Sequence, residues 1–434
     1  MSDLTAPVDR PALLRWRTAV FAIFTASGLS IATWASRVPA IKEALQIDNI
    51  QIGFVLLLAG VASIVGLSLS SIVLARFGAR RGMFVALVVV AAGVAIIGVG
   101  TDALGSYGVV ALGLVLFGLG NGSLDVMMNV DGAVIEKQLG KTLLPLFHAF
   151  FSFGTVLGAG IGVLAVAWAL NVLVHTGVLA GVILVLAFVS IVSVPARAVA
   201  MDPTPSDQPA RDWRARMHGS LSAWREPRTY TLGAVMLGMA FAEGGANDWL
   251  ALTVVEGHGA DQALGATGLA VFSASMTLVR VAGGPLVDRF GRVTTLRVLA
   301  AAAAAGLLLF ILAPSIPLVL VGAALWGAGV SLGFPLGMSA AADDPARAAA
   351  RVSAAATIGY IAFLCGPPLL GFVSEHVGLL RTLYILVALI VASGFASGAT
   401  RPLPGAHVGE GRRTESRRQI RKEKASTSDD PSLP

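Results

Sequence analysis

Twelve long apolar stretches divide this chain, and few folds are open to a chain so divided. They run Trp16 to Ser36, Ile50 to Ala75, Gly82 to Gly100, Tyr107 to Ile135, Leu143 to Leu170, Leu173 to Val194, Tyr230 to Val255, Leu264 to Val287, Val293 to Ala313, Pro317 to Ala341, Val352 to Val373 and Leu379 to Ala399. A helix of about 20 residues crosses a hydrocarbon core, so each stretch is long enough to be a span. Backbone in lipid must satisfy its own N–H and C=O groups, which makes these stretches helices rather than loops or open strands. Apolar residues make up 56% of the chain and charged residues 13%, a balance at which lipid is the solvent for most of it.

The charges set the expected orientation. Of the 31 Lys and Arg, all but Arg37, Lys42, Arg381 and Arg280 fall on one side of the twelve-span arrangement, and Arg280 stands inside a span. Basic residues accumulate in cytoplasmic loops, so both termini are expected inside. The net charge of +6 then reflects basic loops beside an anionic leaflet rather than a nucleic-acid surface. The single cysteine, Cys365, excludes an internal disulfide and a thiolate metal cluster, and nothing in the sequence calls for a metal or cofactor. The first stretch follows Arg10 and Arg15 and is too long for the core of a signal peptide, so it is expected to remain as the first span.

Composition also marks the domains. Residues 1–195 and 229–400 each carry six spans, an all-α membrane architecture of two six-helix bundles. Between them, 196–228 changes to Pro203, Pro205, Ser206 and Pro209 with mixed charge, as expected of a cytoplasmic linker. Within it Trp213, Met217, Leu221 and Trp224 recur at helical spacing, so 212–225 is either a membrane-surface helix or an irregular connection. The tail 401–434 alternates Arg and Lys with Glu and lacks the apolar residues to fold alone; it is expected to be disordered and near anionic lipid.

A hinge appears twice. Gly284-Pro285-Leu286-Val287-Asp288-Arg289-Phe290-Gly291-Arg292 follows the eighth stretch, and a degenerate copy, Ser71 to Ala79, shares Arg76, Phe77 and Gly78 with it. The second copy resembles the G-x-x-x-D-R-x-G-R loop of the major facilitator superfamily, whose transporters are built from repeated halves. That resemblance implies two pseudo-symmetric bundles with the first, fourth, seventh and tenth helices lining a cavity. It also implies a gating role for Gly284, Asp288, Arg289, Gly291 and Arg292, with Asp288 set against a helix N-terminus of the other bundle. The simpler reading of Gly284 and Gly291 is packing and a turn, and of Arg289 and Arg292 basic loop residues.

Charged side chains inside a span cost roughly 2.5–3.5 kcal/mol each on insertion scales and therefore mark function or a buried partner. Asp125 and Glu243 stand near mid-membrane. Asn121, Asp125 and Asn129 are four apart on one face of the fourth span, and Asn247 follows Glu243 by one turn on the seventh. These are candidates for proton coupling and solute binding, with a neutral structural acid as the alternative. An amide beside the carboxyl can donate or accept and so follow it through either protonation state. Asp131, His148 and Arg280 lie nearer the inner face and suggest either an inner gate or a structural ion pair. Thr33 and Trp34 on the first span suggest a stacking platform for a flat ligand, or an interfacial belt residue.

Further strings narrow the resemblance. Thr33 to Ile41, Ala240 to Leu250, Ser331 to Leu336 and Gly359 to Gly371 are similar to a family of bacterial inner-membrane proteins typified by YbjJ. Leu124 to Asn129 and His148 to Phe151 are similar to elements of the fucose permease group, which implies a proton-coupling and sugar-binding role for Asp125 with Asn129. The first span lacks that group's aspartate, leaving Glu243 as a substitute from the other bundle. The expected activity is proton-coupled transport of a small polar, sugar-like solute by a monomer in the bacterial inner membrane. A proton-antiport exporter of drugs or metabolites is the alternative, and a membrane sensor a weaker one. No phosphate loop or activated nucleophile points to an enzyme.

Overall fold

A computed structural model describes residues 9–139, 143–195, 223–344 and 347–403. Among them, eleven helices are long and apolar enough to cross a membrane. The first six are Arg10–Ala35, Asn49–Leu74, Arg76–Ala103, Tyr107–Glu136, Leu146–Ala167 and Val172–Ser193. The remaining five are Gln262–Phe290, Arg292–Leu312, Ile316–Ala341, Ala350–Val377 and Leu379–Thr400. The seventh span of the sequence, Pro227–Leu252, is a helix of 26 residues but falls short on hydropathy, because Glu243, Asn247 and Asp248 interrupt its apolar run. With it the chain has its twelve spans, and no strand occurs among the described residues. Most of the linker and all of the tail beyond residue 403 lie outside the described residues, as does the side chain of Ala75.

The two copies of the hinge have the same backbone. Gly78 and Gly291 both sit at φ 75°, with ψ of 166° and 160°. A side chain at that φ is strained, so only glycine reverses the chain there without cost. Each hinge leads directly from one span into the next: the second and third spans run as Asn49–Gly98 through Gly78, and Phe290 passes through Gly291 into Arg292. The eleventh span, Ala348–Val377, likewise continues as one helix through Pro367 and Pro368.

Close backbone approach organises each bundle. A Cβ at Gly28 would collide with the carbonyl of Phe151, and one at Gly154 with that of Thr25, so the first and fifth spans touch backbone to backbone. Gly118 and Gly122 do the same against Ala59 and Ser63 on the second span. Helices in lipid gain little from burying apolar surface against each other, and such close contact supplies the attraction instead.

Most of the described basic residues gather at one end of the helices, called here the basic face; Arg37, Lys42 and Arg381 lie at the other end, the far face, with Glu256. At the basic face, Glu226 precedes the seventh span and accepts from Arg351 Nε at 2.6 Å and Arg347 Nη1 at 2.9 Å. Asp343 bridges Arg228 Nη2 at 3.1 Å and Arg292 Nη1 at 2.6 Å. The bond from Arg351 holds the Glu226 carboxyl below its ordinary range; desolvation opposes it, and the bond from Arg347 and the charges of both arginines add to the lowering. A depressed folded-state value means that this stabilisation is complete at neutral pH and is lost as pH falls through the acidic range. Glu226→Gln is therefore expected to lower Tm in detergent at about pH 8 and to converge with wild type as pH falls through the acidic range, which flattens the acid side of a plot of Tm against pH.

Candidate functional site

The middle of the molecule holds two polar clusters, one from each bundle. In the N-terminal bundle, Asn129 Nδ2 donates to Asp125 Oδ1 at 3.2 Å and to the Asp125 carbonyl at 2.9 Å. Its other end, Oδ1, meets His148 Nε2 at 3.1 Å. An amide that donates to the carboxylate must accept at its oxygen, so this arrangement selects the His148 tautomer with a proton on Nε2. Asp125, Asn129 and His148 thus form a chain from mid-membrane to an exposed imidazole. Asn121, on the same stripe, is engaged elsewhere: its Oδ1 accepts from Ser27 Oγ at 2.6 Å and ties the fourth span to the first.

In the C-terminal bundle, Arg280 Nη2 donates to both oxygens of Glu243 at 2.8 Å. Arg280 Nε reaches the carbonyl of Ser331 at 3.1 Å, and Nη1 crosses to Ser152 Oγ of the other bundle at 3.1 Å. The eighth, seventh, tenth and fifth spans therefore meet at one guanidinium. The side chains of Arg280 and Glu243 keep 17% and 15% of their exposure, so the pair borders open space rather than a sealed core. Tyr360 of the eleventh span is exposed and lies within electrostatic reach of Asp125. Asn247 is half-buried and makes no hydrogen bond among the described residues.

Several expectations from the sequence are corrected here. Arg280 pairs with Glu243, not with Asp131 or His148. Asp131 is buried and accepts from Trp16 Nε1 at 2.8 Å, between the fourth and first spans. The three residues therefore do not form one gate cluster. Losing the indole donor in Trp16→Phe should cost about 1–3 kcal/mol, the usual range for removing a hydrogen-bond partner from a buried polar group, seen as a lower Tm in detergent. Thr33 is fully buried and bonds the Leu29 carbonyl at 2.7 Å. Trp34 packs edge-on against Phe117 with ring centres 5.8 Å apart, among Val38, Ile41, Val55 and Leu114. Neither residue faces the open centre, so neither forms a stacking platform.

The hinge residues also separate. Arg292 is held by Asp343 of its own bundle. Asp288 and Arg289 are exposed, Asp288 has no ion pair among the described residues, and a Cβ at Gly284 would meet nothing within 4 Å. The two bundles are joined instead at the far face. Lys42 Nζ binds Glu256 at 2.6 and 2.8 Å and Asn49 Oδ1 at 2.7 Å. Gln262 Nε2 donates to Glu43 at 2.8 Å, and the Asn49 N–H donates to Glu375 at 3.1 Å. Beside these, the second and eleventh spans touch where a Cβ at Gly53 would lie 2.8 Å from the Pro367 carbonyl. On the basic face, no hydrogen bond or ion pair joins the bundles among the described residues. The far-face residues escaped the sequence reading because Lys42 and Glu256 are 214 positions apart and look like ordinary loop charges.

The chain matches the family model of the Major Facilitator Superfamily over residues 19–367 and 269–426. It is 29% identical over 389 residues to an uncharacterised transporter, y4wD, of Sinorhizobium fredii, covering 88% of this chain and 97% of that one. An uncharacterised MFS-type transporter of Yersinia pestis is 29% identical over 378 residues, 86% of this chain and 92% of its own. Among solved structures, a point mutant of the nucleoside transporter NupG superposes with a TM-score of 0.70 at 16% identity, over 90% of this chain and 100% of that one. FucP in its outward conformation gives 0.63 at 16% identity, over 91% and 100%. At that identity these structures establish the fold.

Proposed function

Because the chain belongs to the major facilitator superfamily, we propose that it is a proton-coupled secondary transporter that moves a small polar solute across the bacterial inner membrane by alternating access. The observation that carries this reading is a pair of polar clusters, one in each bundle: Asp125, Asn129 and His148 on one side, Glu243 and Arg280 on the other, with Arg280 reaching across the interface to Ser152. A static scaffold has no need of charged groups at mid-membrane, where each is costly. A transporter needs them to exchange protons and hydrogen bonds with its cargo.

The basic face is the cytoplasmic side in this reading, by the distribution of Lys and Arg. The bonds at the far face then support a form closed to the outside, and the exposed His148, Asp288 and Arg289 a form released on the inside. Asp125 carries the proton, and Asn129 and His148 orient its carboxyl and lead toward the inner opening. Nucleosides and fucose, named for two structural neighbours, are hydroxylated polar solutes of the kind that an amide, an imidazole and serine hydroxyls would bind.

The test is uptake into vesicles reconstituted with the purified protein under an imposed pH gradient, with labelled sugars, sugar acids and nucleosides. Accumulation above equilibrium that collapses when a protonophore is added is the expected result. A solute that equilibrates at the same rate with and without the gradient would remove proton coupling. Efflux driven by an outside-acid gradient would reverse the direction in favour of an exporter.

A further inference from the structure

Arg280 stands well inside its span, paired to a mid-membrane acid of another, and its surroundings constrain what the cavity accepts. An unpaired guanidinium in a medium of low dielectric is strongly disfavoured, so Glu243 can leave Arg280 only if another anion replaces it. A neutral or cationic solute cannot make that exchange. The geometry shows how an anion could. Both oxygens of Glu243 sit on the single nitrogen Nη2, while Nη1 makes one bond, to the Ser152 hydroxyl. Arg280 therefore does not use its two terminal nitrogens as a fork toward one carboxylate, which is the geometry that guanidinium and carboxylate favour. The backbone carbonyl of Ser331 fixes Nε and holds the fork's direction. Ser152 belongs to the opposite bundle, so this edge of the guanidinium lies where the two bundles must part and rejoin.

We propose that Arg280 is the seat for a carboxylate carried by the solute, and that Glu243 is its placeholder in the empty protein. The inference rests on the transport reading and specifies its cargo: a hydroxylated monocarboxylate of the sugar-acid class. The solute carboxylate takes the Nη1 and Nη2 edge, and its hydroxyls face Ser152, Asn129 and His148. Displaced Glu243 takes up a proton that enters from the medium through the cavity, beside the one carried by Asp125, so each carboxylate is matched by a proton at this seat and the charge around Arg280 is conserved. The groups facing this exchange are Glu243 and Arg280 of the C-terminal bundle and His148 of the N-terminal one, which lies within electrostatic reach of Arg280; Asp125, one step further along Asn129, and Tyr360 beside it complete the set.

Chemical rescue tests the seat without knowledge of the natural cargo. Glu243→Ala leaves Arg280 bare and should lower Tm in detergent. Acetate at millimolar concentration should restore much of that loss, and acetamide and ethanol should not. In the milder Glu243→Gln, D-gluconate should bind about tenfold or more tightly than in wild type, because no placeholder competes, and its binding should lose the wild-type preference for acid pH. Arg280→Gln should abolish gluconate binding in either background. No stabilisation by any carboxylate in Glu243→Ala and Glu243→Gln, or equal stabilisation by acetate and acetamide, would overturn the seat. Gradient-driven uptake of sorbitol or a nucleoside with no response to carboxylates would also overturn it, while leaving proton-coupled transport intact. Gluconate binding of the expected pattern without gradient-driven uptake would keep the seat and remove the transport reading.

Discussion

Asp125→Asn should reduce uptake driven by a pH gradient by roughly 100-fold, the size usual for losing a positioned proton-transferring group, while exchange of labelled for unlabelled solute persists. Asparagine matches the neutral carboxyl in size and keeps one donor and one acceptor, so Asn129 retains a partner at position 125. It has no proton to release, and only the coupled mode should fail. Counterflow and gradient-driven uptake measured in the same vesicles separate the two. Uptake at the wild-type rate in Asp125→Asn would take Asp125 out of the coupling step. Loss of gradient dependence in Glu243→Gln alone would move that role to Glu243.

The second large effect is expected at the far face. Lys42→Glu sets a carboxylate against Glu256 where an ammonium stood 2.6 Å away, and removes the donor to Asn49. The Lys42 side chain keeps 16% of its exposure and Glu256 36%, so solvent screens the pair and the free energy at stake is modest. Two conformers of similar stability still respond strongly, because about 1.4 kcal/mol changes their ratio tenfold. A cysteine at Asn247 in a Cys365→Ser background reports the change. Labelling by a membrane-impermeant thiol reagent from the far side should rise about tenfold in Lys42→Glu and fall back in Lys42→Glu/Glu256→Lys. If the double reversal labels as fast as the single change, the attraction between these two charges does not close that face.

Much of this protein was legible before its structure. Asp125 and Asn129 are one helical turn apart, so their contact follows from helix geometry alone. Arg76-Phe77-Gly78 and Arg289-Phe290-Gly291 announce the same turn in each half, and both glycines have the same φ. Arg280 had to have a partner, since a lone charge in lipid is too costly. Which partner was not legible. Glu243 is 37 residues away on the preceding helix and nearer mid-membrane, whereas Asp131 lies in the other bundle at the depth of Arg280, yet both are acids inside a span.

Length, apolarity and local spacing, properties of the chain itself, determine the number of spans, the two hinges, the basic face and every contact within one helical turn. The pairing of Arg280 with Glu243, the withdrawal of Trp34 into packing and the joining of Lys42 to Glu256 were decided only in the tertiary structure. The physical reason is that an apolar helix in lipid has no wet face to betray its rotation. A soluble helix shows which side it buries through its hydrophobic period, whereas these spans are apolar nearly all round. Their rotation and depth are set by backbone contacts such as Gly28 against Phe151, and those contacts exist only once the bundles have assembled.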